Sequence, residues 1–344
     1  MDKDESEESR IISVKVFYNG TAITEECNIY DDRCTIPVPV DVDPDSIRMV
    51  SDRGHDVPFW LHTEKNEDGF WTLEVRDVKL TESVIVTYCV DNSSWTPIYR
   101  IETEDMTLRL FASIRNDTGK DWSAWNMKCV CGSMHVSPAP TFCSNAPRMM
   151  ARAADVSPDD TETGYEYKIE GCIPANSYMQ IPLEKARKIT EPKVLRCTPC
   201  ASRHGFITCD VDRSLVSLPG KTVSYYDTDS VAYSYIRPGA EGEKLRLTLA
   251  ADTAVLCDFS SATRRNSNGI MMQTEASFVI RNDHESDRDI VVQEGTPVSK
   301  ENAGNAELVE GGGAKLSEDG TLTWNLTVPA GKTVKKRFVY TYRA

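Results

Sequence analysis

The sequence predicts an all-β protein: tandem antiparallel β-sandwich-like units preceded by a small N-terminal β-domain. Three observations carry that expectation. Apolar residues alternate with polar ones in TLRLFASIR (107–115), KLRLTL (244–249), TLTWNLTV (321–328) and VKKRFVYTY (334–342), the period that puts one face of an extended chain on a core. Turn clusters separate such runs, among them Asn66-Glu-Asp-Gly, Asn116-Asp-Thr-Gly, Leu218-Pro-Gly, Arg237-Pro-Gly and Glu318-Asp-Gly. No apolar stripe of helical period lasts beyond two turns, and the single helical candidate is the short PRMMARAA (147–154).

Taken in order, residues 1–10 (MDKDESEESR) are acidic and polar, and read as a disordered tail without the apolar stretch of an export signal. Residues 11–84 form the N-terminal β-domain and a connector, and 85–190 the first sandwich unit. In Trp95-Thr-Pro-Ile-Tyr, Pro97 cannot donate to a ladder, so the segment belongs at a sheet edge or crossover, with Trp95 and Tyr99 plugging the join between units. In Asn116-Asp-Thr-Gly-Lys-Asp-Trp the Asn and Asp side chains bond local backbone and Gly119 accepts positive φ, which makes a turn. Trp122 then restarts a strand and covers the open end of a sandwich, where its indole N–H needs one partner. Residues 137–164, rich in Pro, Ala and acidic side chains, read as a long mobile loop. The second unit, 191–344, closes on a strand that carries Trp324.

The chain repeats itself. FWTLEVRDVKLTESVIVTYCV (70–90) aligns with TWNLTVPAGKTVKKRFVYTYRA (323–344), each reading Trp, strand, short turn, strand ending in Tyr. YEYKIEGCIPANSYMQIPL (165–183) shares the layout through an Ile-Pro-Ala-Asn turn that matches Val-Pro-Ala-Gly in the last copy. Ser113-Ile-Arg-Asn-Asp and Val279-Ile-Arg-Asn-Asp each end an alternating strand, and in both halves this strand precedes the terminal hairpin. Two related sandwich units follow from that order.

Composition excludes several functions. With 39 Lys and Arg against 53 Asp and Glu, the net charge is −14, and the phosphate-neutralising surface that nucleic acids or anionic membranes require is missing. The longest apolar runs, such as SVIVTYCV (83–90), are far below membrane-spanning length. The 11 cysteines are odd in number, scattered, and preceded by no export signal, which points to reduced thiols in the cytoplasm.

Trp95-Thr-Pro-Ile-Tyr, Asn116-Asp-Thr-Gly-Lys-Asp-Trp, Leu218-Pro-Gly and the closing Leu322-Thr-Trp-Asn-Leu resemble the signature of a large uncharacterised family that includes proteins called mucoidy inhibitor A. Its usual turn reads Asn/Gln-x-Thr-Gly-Glu-Asp-Trp, so Lys120 departs at one position. Residues 14–51 are similar to the small domain that precedes the signature in such proteins, and the resemblance covers most of the chain. Members typically carry a long coiled coil between the two domains, whereas 55–84 here contain a strand pair and no heptads. The resemblance implies an all-β fold; it implies no reaction and no catalytic set.

The residues themselves offer little chemistry. Cys197, Cys200, His204 and Cys209 have a C-x2-C-x3-H-x4-C spacing near that of a zinc knuckle, with ligands that tetrahedral zinc prefers, but Cys209 falls in a strand that carries it away from the turn. His135 and His284 fall in loop-like surroundings and read as solvated, and no nucleophile elbow, phosphate loop or H-E-x-x-H occurs. Trp60, Trp71 and Trp125 offer a sugar platform on one reading and core on the other. Trp95, Pro97, Tyr99, Asn116, Gly119, Asp121, Trp122 and Trp324 are read as structural. The expected function is therefore a non-enzymatic protein-interaction or scaffold module without a cofactor, which offers a protein partner its edges and end loops, with the segment 137–164 as the natural docking place. The alternatives are a hydrolase or carbohydrate-binding protein with a loop-lined site, and a zinc-dependent regulator.

Overall fold

A computed structural model describes residues 9–29, 33–76, 83–134, 166–226, 230–236, 242, 244–265, 271–297 and 306–343. The expected mobile loop, 137–164, lies outside them. Among the described residues the regular elements are strands joined by turns and two short 3-10 turns, so the chain is all-β. None of their helices is long and apolar enough to cross a membrane. The chain divides into two compact units, Met1–Ile98 with Leu110–Glu184, and Tyr99–Arg109 with Lys185–Ala344.

The first unit begins with β1 (Arg10–Phe17), β2 (Gly20–Asn28), β3 (Arg33–Val38), β4 (Arg48–Ser51), β5 (Trp60–His62), β6 (Trp71–Arg76) and β7 (Ser83–Val90). It takes part of β8 (Ser94–Glu102) and of β9 (Thr107–Asn116), then β10 (Asn126–Val130), β11 (Glu166–Ile169) and β12 (Ser177–Pro182). Six of these form one sheet in the order β11-β10-β1-β2-β7-β4; β3, β6 and β5 form a second. The period-2 pattern does what it predicts: Val14, Val16, Ile23, Val84, Val86 and Tyr88 point inward and are fully buried, as are Cys34, Ile36, Leu73 and Val75 of the smaller sheet. Each such aliphatic side chain contributes about 1.5–3 kcal/mol of burial.

The six-stranded sheet is not built of N-terminal strands alone. β1 pairs in parallel with β10, from Ser13↔Asn126 to Val16↔Cys129, across more than a hundred residues of chain. A second parallel ladder joins the strands Val194–Cys197 and Arg288–Gly295 of the other unit, so among the described residues the antiparallel expectation fails at two places. Both are pairings between strands far apart in sequence, which short hairpin turns cannot make.

The second unit contains β13 (Arg187–Lys188), β14 (Val194–Cys197), β15 (His204–Asp212), β16 (Gly220–Tyr226), β17 (Ser230–Ile236) and β18 (Lys244–Arg265). β19 (Met271–Asn282), β20 (Arg288–Gly295), β21 (Ala306–Glu310), β22 (Lys315–Leu316), β23 (Thr321–Val328) and β24 (Thr333–Arg343) complete it. Nine strands run in the order β21-β24-β19-β18-β15-β14-β20-β23-β22. Trp324 on β23 lies 4.9 Å from the Phe278 ring of β19 and 5.3 Å from Phe338 of β24, so strands far apart in the sheet meet face to face over one core. Two irregularities in the β15–β18 ladder, at His204/Gly205 and Ile207/Thr208, give the local bend such curvature needs. The Trp324 indole N–H donates to the Gly311 carbonyl at 3.1 Å.

Candidate functional site

The two Ile-Arg-Asn-Asp repeats build one device twice. Asn116 is fully buried; its Nδ2 donates to the carbonyls of Lys120 (2.8 Å), Pro174 (3.0 Å) and Ile173 (3.3 Å), while its Oδ1 accepts the Thr118 N–H at 3.1 Å. Asn282 is equally buried, donates to Ser286 and Val328 carbonyls at 2.9 Å each, and accepts the His284 N–H at 3.0 Å. Five residues beyond each asparagine an aspartate secures the same corner. Asp121 accepts from Ala175 N–H (2.7 Å), and Asp287 from Ala330 N–H (3.0 Å). The corners are Ile173-Pro-Ala-Asn and Val328-Pro-Ala-Gly, whose last residues share the left-handed conformation, φ +51° at Asn176 and +63° at Gly331.

These corners are not hairpins, contrary to expectation. β11 pairs with β10 while β12 pairs with β9, and β23 pairs with β20 and β22 while β24 pairs with β19 and β21. The clamp holds the chain as it leaves one ladder for another, which a tight turn would not permit. The remaining copy, 70–90, behaves likewise: β6 pairs with β3 and β5, and β7 with β2 and β4.

The other structural residues are placed as follows. Trp95 is 1% exposed, donates from Nε1 to Val130 O at 2.9 Å and packs 5.0 Å from the Tyr18 ring. Trp122 is fully buried, and its indole N–H finds the Thr118 hydroxyl at 3.1 Å. Pro97 is buried in β8, and the passage from one unit to the other follows directly, between Ile98 and Tyr99. Tyr99 belongs to the second unit, where its hydroxyl accepts the Leu218 N–H at 2.8 Å. Gly119 has φ +73°, and a Cβ there would meet the Phe70 ring at 3.0 Å. Lys120 Nζ reaches 2.7 and 2.9 Å from the carboxylate of Glu25, a fully buried residue on β2 that also accepts from Tyr88 and Ser9 hydroxyls.

The cysteine–histidine spacing does not converge. Cys197 is buried beside Cys257, and that thiol contact, followed by burial, pushes its pKa far above the usual thiol range. Cys200 is exposed in the turn, with its thiol pushed up to about 11 by burial and then by Glu294. His204 opens β15 and Cys209 lies five residues along it, roughly 16 Å away on the opposite face. Cys209, also raised to about 11 by burial, donates to Glu191 O. Among the described residues no group of three or more His, Cys, Asp or Glu side chains is arranged to hold a metal ion.

Glu294 is the buried carboxyl of this region, 2% exposed, accepting the Cys200 N–H at 2.8 Å. Burial raises its pKa, and the Cys200 bond offsets part of the rise. The folded state therefore holds the proton more tightly than the unfolded one, so stability is greatest below the unfolded pKa and declines as pH rises through the folded value. Glu294→Gln keeps the acceptor and removes the charge. Its thermal midpoint should exceed that of the parent chain at about pH 8 and equal it near about pH 4, where both are neutral. A midpoint difference that stays constant with pH would show that the charge is not the cause.

A cavity of about 660 Å³ in the second unit is lined by Lys193, Leu195, Asp252, His284, Arg288 and Asp289, among others. His284, read as solvated from sequence, is instead half-buried, with Nε2 2.9 and 3.0 Å from the Asp252 carboxylate and Nδ1 3.3 Å from an Arg288 guanidinium nitrogen. A carboxylate only accepts and a guanidinium only donates, so Nε2 carries the hydrogen and the Nδ1 lone pair is taken. The ring spans its neighbours with both nitrogens engaged, and no basic nitrogen is left for general-base work. The proposed tryptophan platform also separates: Trp60 registers with Glu74, whereas Trp71 shares the inward face of Leu73 and Val75. Trp60 instead lies under the Arg76 guanidinium at 5.7 Å, and Trp125 is 77% exposed.

One surface was not visible as a unit in the sequence. β16 and β17 form a hairpin whose inner face buries Thr222, Ser224 and Ile236. Its outer face aligns Tyr225 with Val231, Val223 with Tyr233, and Lys221 with Tyr235. Val231, Tyr233 and Tyr235 are 47, 62 and 73% exposed, on a strand that ends its sheet. Cations border these rings: Lys221 Nζ sits 4.2 Å above Tyr233, and the Arg100 guanidinium 5.6 Å from Tyr225.

No curated protein matches the chain. Residues 84–344, from β7 through the last strand and including both clamped corners, match the family described as Domain of unknown function (DUF4139), and the chain belongs to that family.

Proposed function

We propose that this chain is a non-enzymatic interaction module of the mucoidy-inhibitor-like type, acting in the cytoplasm, whose second unit takes up an extended segment of a partner protein beside β17. The observation that carries the reading is the outward row Val231, Tyr233 and Tyr235 on a terminal strand. Such a strand offers backbone N–H and C=O groups to an added strand, while alternate side chains supply specificity. Tyrosine and arginine are the residues over-represented where binding energy concentrates. Lys221 and Arg100 favour an apolar segment that carries acidic residues.

The test is a library of labelled decapeptides of graded charge, titrated with the full chain. Apolar peptides with acidic flanks should bind, and Tyr233→Ser/Tyr235→Ser should weaken binding about tenfold or more, or ~1.4 kcal/mol, with an unchanged thermal midpoint. Retention of binding by the double variant, or selection of soluble oligosaccharides in place of peptides, would refute the proposal.

A further inference from the structure

We infer that Cys27 and Cys34 are a covalent cross-linking site, which a small-molecule disulfide converts into an intrachain bond between the two sheets of the N-terminal region. Cys27 lies on β2 of the six-stranded sheet, registered with Val84; Cys34 lies on β3 of the three-stranded sheet, registered with Val75. Both are fully buried, and their Sγ atoms are 2.8 Å apart. A disulfide is about 2.05 Å long, so a small inward movement of the two side chains completes it. The strand register fixes the approach. Val84 and Val75 are themselves fully buried, so each cysteine sits on the inward face of its sheet, directed at the other.

The other cysteines set the comparison. Cys129 lies on β10 and Cys131 in the bend that follows it, two residues on. Cys197 and Cys257 touch inside the core of the second unit and are the natural competitor.

The reaction is thiol–disulfide exchange. One cysteine, as thiolate, attacks a sulfur of glutathione disulfide, forming a mixed disulfide and expelling one glutathione thiolate. The second cysteine attacks the protein-side sulfur of that mixed disulfide, forms the Cys27–Cys34 bond and releases the second glutathione. The two cysteine protons end on the two glutathione thiols, and the two electrons leave with them. Since both sulfurs are shielded in the folded chain, exchange requires local separation of the two sheets around β2 and β3, and is fast while the chain folds and slow afterwards.

The experiment refolds the full chain from denaturant with reduced and oxidised glutathione, and in parallel with a dithiol reductant. The oxidised sample should be lighter by about 2 Da, should yield one non-reduced peptide pair joining Cys27 to Cys34, and should keep the near-ultraviolet circular dichroism of the reduced sample. Folded protein given the same buffer should acquire the bond many times more slowly. No mass loss on refolding, a bond mapped to Cys197–Cys257 or any other pair, or a Cys27–Cys34 bond that forms only with loss of the native spectrum would overturn the inference. Mapping on the parent chain decides the matter even if Cys34→Ser fails to fold.

Discussion

Lys120→Glu should destabilise the first unit by about 3–5 kcal/mol, the range for breaking a buried ion pair and leaving one charge uncompensated. Lys120 is 13% exposed, Glu25 is 1% exposed, and the ammonium bridges both carboxylate oxygens. A glutamate at position 120 would set a second carboxylate against the first in a site that excludes solvent. Tyr88 and Ser9 hydroxyls each donate to Glu25, yet neither supplies positive charge. Adding Glu25→Gln to Lys120→Glu should restore more than half of the loss, because a neutral amide can donate to the new carboxylate. The measurement is a urea unfolding series on the parent chain, both single variants and the double. If Lys120→Glu unfolds within about 0.5 kcal/mol of the parent, the pair is solvated in the folded chain and contributes no more than a surface ion pair.

Much of the fold was legible because β-structure writes itself locally. Alternation in 107–115 and 321–328 identified β9 and β23, and the turn chemistry of Asn116 and Gly119 was read correctly from residue type. What escaped was pairing over long separations. Nothing in residues 13–16 announces 126–129 as a parallel partner, and the Pro-Ala corners looked like hairpin turns because strand–turn–strand is the same string whether or not the two strands pair. Lys120 stood out only as a departure from a turn pattern; its reason, Glu25, lies 95 residues earlier. His284 read as solvated because Asp252 is 32 residues away on another strand. The Tyr233–Tyr235 face was missed since SVAYSYI reads equally well as a strand with either side inward, and only the burial of Thr222, Ser224 and Ile236 on the opposite face decides which side is left uncovered.

The duplicated corner yields the second large effect. Asn282→Ala removes a donor from the buried Val328 carbonyl, a donor from the part-buried Ser286 carbonyl and the acceptor of the part-buried His284 N–H, and each backbone group left orphaned in the interior costs about 1–3 kcal/mol. Some relaxation toward solvent is available at Ser286, which is exposed, and less at Val328, which is fully buried. A net loss of about 3–4 kcal/mol follows. Asn282→Asp keeps the acceptor for His284 but turns the donors into a carboxylate facing two carbonyl oxygens, so it should be no better than alanine. Asn116→Ala should cost the first unit a similar amount, since its carboxamide serves the same turn offsets and the same Pro-Ala corner. The two sites lie in different units and share no partner, so in the double variant the losses should add to within about 0.5 kcal/mol. Guanidinium unfolding followed by tryptophan fluorescence reports both, through Trp122 beside one clamp and Trp324 on the strand that leads into the other. A cost below about 1 kcal/mol at either asparagine would mean that water takes over the carboxamide's bonds, and that the repeat is a resemblance of sequence without a shared mechanical role.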